Sequence, residues 1–409
     1  MTAPVTSIGV GLGIPEPTDF IIGDTLRGVI GGTTYTLASG YTTITGDGYS
    51  VSIRRGRFAR LWDAFEAGSS TVAVWNNDRA YDPAYLAGDY NRYLVPGRPL
   101  RVLTNGEPVW TGFVDDLDLE YDRSGLSSAV WKSTDALGIL GAMQFDAWTS
   151  SSATAGGKLT AICDRPEVGW SPLLRDFDEG VEALQSDAVS WGSSVLNYAA
   201  LVARSELGYL FASRRGVLTF RDRNVTVGVV SVADFGGAGI GFQGIAATVG
   251  SELLFARVGV DREGGTNQTE TVADITTWQE LYGPAVRSLS ITGLLLADDA
   301  QSTSLASYLL DLYDTPRYRV SELTVDITPL STSEQTNVAT IDVADVVSVE
   351  FTPNGVGDPI VQTLVVQGIE HRITVDSHVV TLSLIDAPIP YFRIGDAVYG
   401  VIGDDIIGF

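Results

Sequence analysis

Short apolar runs dominate the chain, and many alternate with polar residues at every second position, as strands with one buried face do. Thr71–Trp75, Leu100–Leu103, Val109–Val114, Ala256–Val260, Glu322–Ile327, Val346–Phe351 and Val379–Ile385 are the clearest. Gly, Asn, Asp and Pro bound them, and Asn105-Gly106 between two of them is a strong hairpin signal. Helical spacing is confined to a few places. Over 193–210, Val195, Tyr198, Ala199 and Val202 share a face, with Ser193 or Ser194 as N-cap and Gly208 as the stop. Asp298 to Tyr313 predicts a second helix, with Pro316 beyond its end, and Thr134 to Ala142 predicts a short one. Tyr209 to Phe220 reads as strand, Arg-Gly turn, strand. The pattern predicts a mainly β fold with an α+β insertion.

Punctuation suggests five segments: 1–39, an extended docking segment; 40–150, a first β domain; 151–244, an α+β insertion; 245–388, a second β domain with one helix; and 389–409, a C-terminal docking segment. Thr149–Gly157 reads as a small-residue linker, and Gly236–Gly241 as the next break. The two end segments repeat one motif. Phe20–Gly31 and Phe392–Gly403 are identical at eight of twelve positions without a gap, including Phe20, Gly23, Asp24 and Gly28 against Phe392, Gly395, Asp396 and Gly400. A small β hook used at two equivalent docking sites accounts for such a repeat.

Charge changes the picture next. The 409 residues carry 50 Asp and Glu against 26 Lys and Arg, a net charge of −24. Wrapping nucleic acid or lying on an anionic membrane needs a cationic face, which this balance opposes. Only Lys132 and Lys158 are lysine; the other 24 basic residues are arginine. The N-terminus lacks the basic and apolar regions of a secretory signal, and no apolar run approaches the roughly 18 residues of a membrane span.

Chemistry is sparse. Cys163 is the single cysteine, and His371 and His378 are the only histidines, so no intrachain disulfide, Cys-ligated zinc or multi-His metal site is expected. Asn76–Asp82 is rich in oxygen ligands but lacks the spacing of a calcium loop, so turn hydrogen bonds are expected there. His371 and His378 flank a turn carrying Asp376 and Ser377; without a nucleophile elbow they read as hairpin surface residues. Cys163 reads as a small buried residue. The densest acidic run is 114–122. As a strand it puts Asp116, Asp118, Glu120 and Asp122 on one face and Leu117, Leu119 and Tyr121 on the other, a solvated acidic face rather than a glycosidase pair. No phosphate-binding loop or dinucleotide motif occurs. No catalytic, cofactor-binding or metal residue is nominated, and no enzyme activity or cofactor is expected.

An ordered set of motifs supplies a resemblance. Arg55-Gly56-Arg57 is followed by Ala67–Arg79, Asp82-Pro83, Pro96–Pro99, Thr111–Asp115 and Thr134–Leu137. Then come Glu206–Gly208, Arg214–Arg223, Tyr282-Gly283, Asp314–Arg317 and Val366–His371. In this order, over about 45–390, they resemble the minor tail or hub proteins of long-tailed actinobacterial phages, related to the baseplate hub family. The resemblance implies two tube-type β-barrel or sandwich domains plus small inserted domains. Three chains would form a pseudo-sixfold ring at the virion tail tip, linking the tail tube to tip fibre or spike proteins and letting DNA pass. Its implied partners are itself as a homotrimer, distal tail or tube proteins, fibre or spike proteins and the tape measure, with DNA a transient passenger. Asp116, Asp118, Glu120 and Asp122 would then face the lumen. The competing classes are a receptor- or carbohydrate-binding tail component with exposed Trp and Tyr, and a cell-wall hydrolase, for which no catalytic motif is present.

Overall fold

The structure, a computed structural model, describes residues 3–12, 40–58, 60–88 and 90–387. The terminal repeat with Phe20, Gly23, Asp24, Gly28, Phe392, Gly395, Asp396 and Gly400 lies outside the described residues. The first β unit holds β1 (Thr6–Val10), β2 (Thr42–Thr43), β3 (Tyr49–Gly56), β4 (Glu66–Trp75), β5 (Pro99–Thr104), β6 (Glu107–Tyr121) and β7 (Ser127–Thr134). An insertion follows, with α1 (Ala136–Gly141), β8 (Trp148–Ser150), β9 (Ala153–Thr154), α2 (Ala155–Cys163), β10 (Arg175–Phe177), β11 (Ala183–Leu184), β12 (Asp187–Val189), α3 (Val195–Ser205), β13 (Tyr209–Ala212) and β14 (Leu218–Arg221). The second β unit opens with β15 (Ala233–Gly236) and β16 (Gly244–Thr248). It is interrupted by β17 (Arg257–Arg262), β18 (Gln268–Thr271), α4 (Ile275–Tyr282), β19 (Ser288–Leu294) and α5 (Asp299–Tyr313). It resumes with β20 (Arg319–Asp326), α6 (Thr332–Ala339), β21 (Val346–Phe351), β22 (Ile360–Thr374) and β23 (His378–Asp386).

One 13-stranded sheet runs through both units, in the order β16-β20-β23-β22-β3-β4-β7-β6-β5-β1-β2, with β21 and β15 added on β22. The two units repeat one pairing scheme. In the first, β1 pairs β5, β5 pairs β6, β6 pairs β7, β7 pairs β4 and β4 pairs β3. In the second, β15, β21, β22, β23, β20 and β16 pair in the same succession. Even the register breaks recur: Val114/Asp116 in β6·β7 answers Val366/Gly368 in β22·β23, and Arg54/Gly56 in β3·β4 answers Ala246/Ala247 in β16·β20. The copies differ in one pairing, since β1·β5 is antiparallel and β15·β21 parallel. They differ also in what the loops carry. The connection between β16 and β20 holds a three-stranded sheet with two helices, whereas 57–65 suffices between β3 and β4.

The units join edge to edge. Gly368–Thr374 of β22 pairs antiparallel with Ser50–Gly56 of β3. Behind the sheet a single apolar core spans both units, from Ile8, Val51, Ile53 and Trp131 to Leu323, Ile369 and Val380. A second core, around Leu159, Val202, Phe220, Val258 and Leu309, binds the insertions together. Among the described residues neither unit closes into the expected barrel. The hydrogen-bonded path ends at β16 on one side and β2 on the other.

Local signals explain most elements. Asp298 and Gln301 form a capping box on α5, and Asp135 caps α1 by accepting from the Leu137 and Gly138 N–H groups. Ser194 caps α3, which stops at Ser205, earlier than Gly208 suggested; Leu207 takes a φ of +56° and the Gly208 N–H closes on the Ala203 carbonyl. Three helices went unforeseen. The small-residue stretch 149–157 is no linker: it holds β8, β9 and the start of α2, where Gly156 lies so close to the Asp178 carbonyl that a Cβ would sit 1.9 Å from it. α4 is capped by Asp274, and α6 by a Ser331–Glu334 capping box on an otherwise polar segment. The Gly-rich 236–241 is the tight turn that ends β15 within the second β unit, rather than a break before it.

Candidate functional site

The sheet turns one face to its core and leaves the other polar. Register alone aligns that outer face across both units. One row reads Asp116, Lys132, Thr71, Ser52, Arg372, Val379, Asp326; the next reads Thr134, Ser69, Arg54, Glu370, Thr381, Thr324. All are exposed or half-buried. The first row has a carboxylate at each end, and the second has Arg54 and Glu370 between serine and threonine.

Asp116, Asp118 and Glu120 stand exposed on this face along β6, while Leu117 and Leu119 pack against the core. The bulge at Val114/Asp116 leaves Asp115 exposed as well; burial and the Asp116 charge raise its carboxyl above the ordinary range. Asp122 stands apart from the other three. It lies in the turn beyond β6, where the Ser124 N–H donates to its carboxylate and holds its pKa down. Tyr121 reaches back to Asp82 at 2.8 Å.

The cations on this face are engaged. Lys132 Nζ lies 2.5 Å from Asp118, and that hydrogen bond raises its pKa. Arg54 and Arg372 each approach Glu370 at 3.7 Å. A polyanion crossing these rows meets hydroxyls, carboxylates and cations already beside carboxylates.

The Arg-Gly-Arg turn is a buried junction. Arg55 donates to Asp342 at 2.6 Å and to the Ala212 carbonyl. Arg57 donates to Gln367 Oε1 at 2.7 Å and to the Leu61 and Asp63 carbonyls, with its guanidinium over Phe65 and Tyr209. Burial lowers the Arg57 pKa to about 10. From the insertion, the Arg214 N–H donates to Asp342, and its side chain to Glu107 and the Pro108 carbonyl. The turn and the β13–β14 hairpin, two of the motifs behind the resemblance, thus tie both β units to the insertion. Besides Leu61 and Asp63, the turn's partners Ala212, Asp342 and Gln367 lie 157 to 310 residues away, which no sequence spacing reveals.

Candidates for chemistry resolve into structure. Cys163 is buried, and desolvation pushes its thiol up to about 11. Asn76 accepts from the Tyr81 N–H, and Asp82 from Arg79, Tyr121 and the Ala84 N–H, so this segment uses its oxygens in turns. The hairpin-surface reading of His371 and His378 is corrected: both are buried, because strand alternation turns them inward with Ile369 and Ile373, and Nδ1 of His371 lies 3.0 Å from Nε2 of His378. Asp376 stays exposed in the turn, away from them. A cleft of about 380 Å³ opens beside β20 and β23, but Arg319 and Arg223 at its wall pair with Asp386 and Glu182.

Lys158 was not singled out by sequence. It is 1% exposed and donates to Ser150 at 2.7 Å and to Asp187 at 3.0 Å, while Tyr198 donates to the same carboxylate. A buried Ser–Lys contact suggests a nucleophile, yet Ser150 is itself 1% exposed, out of a substrate's reach. Lys158→Ala is expected to cost about 2–4 kcal/mol in urea unfolding, because it leaves the half-buried Asp187 without its cation and empties a fully buried side-chain site. Combining it with Asp187→Asn is expected to recover part of that loss; no recovery would mean that packing, not charge, sets the cost.

No family model matches the chain, and no curated protein sequence matches it. Solved structures do. The tail protein from Neisseria meningitidis MC58 superposes with a TM-score of 0.59 at 12% identity, over 93% of this chain and 96% of that one. The 43 kDa tail protein of prophage MuSo2 from Shewanella oneidensis gives 0.57 at 14% identity, over 95% and 100%. Over nearly its whole length the chain thus shares its overall fold with these two tail proteins.

Proposed function

We propose that this chain is a structural hub of a phage tail tip. The observation that carries the reading is the pairing scheme written twice in one chain and joined through β22 and β3. Two equivalent units per chain, in a ring of three chains, present six similar faces to a six-fold tube and three to a threefold fibre or spike. Repeated heterologous contacts close naturally into such rings. The open sheet ends at β16 and β2 leave edges for neighbouring copies.

In this reading the polar outer face lines the bore. DNA passes along hydroxyls and carboxylates, with Lys132 beside Asp118 and Arg54 and Arg372 facing Glu370. At −24 per chain, three chains carry three times that, −72. The surroundings are distal tail or tube proteins above, fibre or spike proteins below, and the tape measure within. The role proposed is structural.

Imaging the intact tail tip tests the proposal. Three copies per tip, with Asp116, Asp118 and Glu120 turned to the bore, are expected. A single copy, or the polar face turned outward, would overturn it.

A further inference from the structure

Both histidines of the chain meet in one buried contact, and that contact sits where the two β units join. His371 lies on β22 opposite Ile53 of β3, within the only strand pair that links the units among the described residues. His378 opens β23, opposite Ile373, and so is a diagonal neighbour of His371 on the same inward face. Both are almost fully buried, in the core shared by Ile53, Ile369, Ile373 and Val380. The 3.0 Å contact uses Nδ1 of one ring and Nε2 of the other. The remaining nitrogens, Nε2 of His371 and Nδ1 of His378, are buried without a partner.

We propose that this pair is a proton-sensitive clasp: with both rings neutral it holds the seam between the β units closed, and protonation parts the seam. When both rings are neutral, one nitrogen of the contact donates and the other accepts. In that neutral pair the accepting ring already carries one unpaired N–H on its outer nitrogen; an added proton turns a ring into a buried cation and either adds a second unpaired N–H or takes the lone pair that the contact uses. A second proton would set two cations at hydrogen-bond distance. Each is costly in an apolar core.

The surrounding charges are few. Arg55, on β3 and two residues from Ile53, opposes charging His371; Asp326, on β20, favours charging His378 but does not compensate its burial. On β22 itself, Glu370 and Arg372 occupy the opposite face, and Asp376 is in the exposed turn between β22 and β23. Burial pushes His378 down to about 4, and holds His371 well below its ordinary 6.5. These shifts are depressions of a base, so the unfolded chain binds more protons between the two values. The stabilisation is fully present above about pH 6.5 and is lost as pH falls toward 4. For His378 alone the folding equilibrium falls on the order of 100-fold over that range.

The test compares the full chain with the double variant His371→Asn and His378→Gln. Each amide places a polar atom where the ring nitrogen made its contact, and neither titrates. Urea unfolding from pH 7.5 to 4 is expected to show the wild type losing at least about 100-fold more in its folding equilibrium than the variant, the share of His378 alone. Hydrogen exchange in the wild type at pH 4.5 should open amides of 368–374 and 50–56 ahead of those in β5 and β6. Parallel pH dependences would overturn the proposal. So would wild-type imidazole proton resonances that titrate near 6.5, a measurement that decides the matter even if the variant does not fold.

Discussion

Alanine at Gly56 is expected to destabilise the protein by about 3–5 kcal/mol, the range where backbone strain and a steric clash combine. Gly56 takes a φ of +96°, a left-handed conformation that disfavours any side chain. A Cβ there would lie 2.2 Å from the Gln367 carbonyl oxygen and 2.7 Å from the Gly368 Cα. That close approach is functional for the fold. The same Gln367 carbonyl accepts from the Arg57 N–H at 2.8 Å, and the Gln367 side chain accepts from the Arg57 guanidinium. Pushing β3 away from β22 therefore breaks the seam and unseats a buried arginine in one step. Urea denaturation measures the loss. Gly241→Ala is the control, since nothing lies within 4 Å of a Cβ there and its backbone is unstrained. Equal stability of the two variants would refute the junction account.

Reversing charge on the outer face should affect function while sparing the fold. Asp116→Lys, Asp118→Lys and Glu120→Lys together change the face by six charges per chain, at positions that are all exposed. Lys132 loses Asp118, but both side chains are about half exposed, so this pair carries little of the stability. If the face lines the bore, tails should assemble and titre should fall at least about 100-fold. DNA would be held by new phosphate contacts, and the defect should ease as salt rises. The matching Asp→Asn and Glu→Gln set should show a much smaller effect. Tails that eject DNA at the wild-type rate with all three lysines in place would remove the bore assignment. The purified triple variant gives a simpler readout: it should retain DNA on a filter at low salt where the wild type does not.

The legible parts of this protein share one property: their signal is local. Asp298 and Gln301 are three residues apart, and one N-cap serves a helix that begins beside it. Asn105 and Gly106 adopt φ values of +51° and +86° in the β5–β6 hairpin, which their identities alone favour. The alternation at 116–120 is read one residue at a time, and the structure keeps it. α2 is hidden because its Gly156 answers to Asp178, outside the helix. The Ser331–Glu334 capping box of α6 was readable, but the polar segment after it lacked an apolar stripe to draw attention.

Sequence by itself determined the strand periodicity, the main helix caps, the acidic balance and the alternation that exposes Asp116, Asp118 and Glu120. These depend on residue type and on neighbours within about one turn or one pleat. Only the tertiary structure decided that two β units repeat one pairing scheme and merge through β22 and β3. It alone buried Arg55, Arg57, Lys158 and the two histidines. Those outcomes rest on contacts between residues tens to hundreds of positions apart, as with Arg57 and Gln367 across 310 residues. A polar residue is cheap to bury only where a distant partner or a closed core receives it, and that partner exists only once the chain has folded.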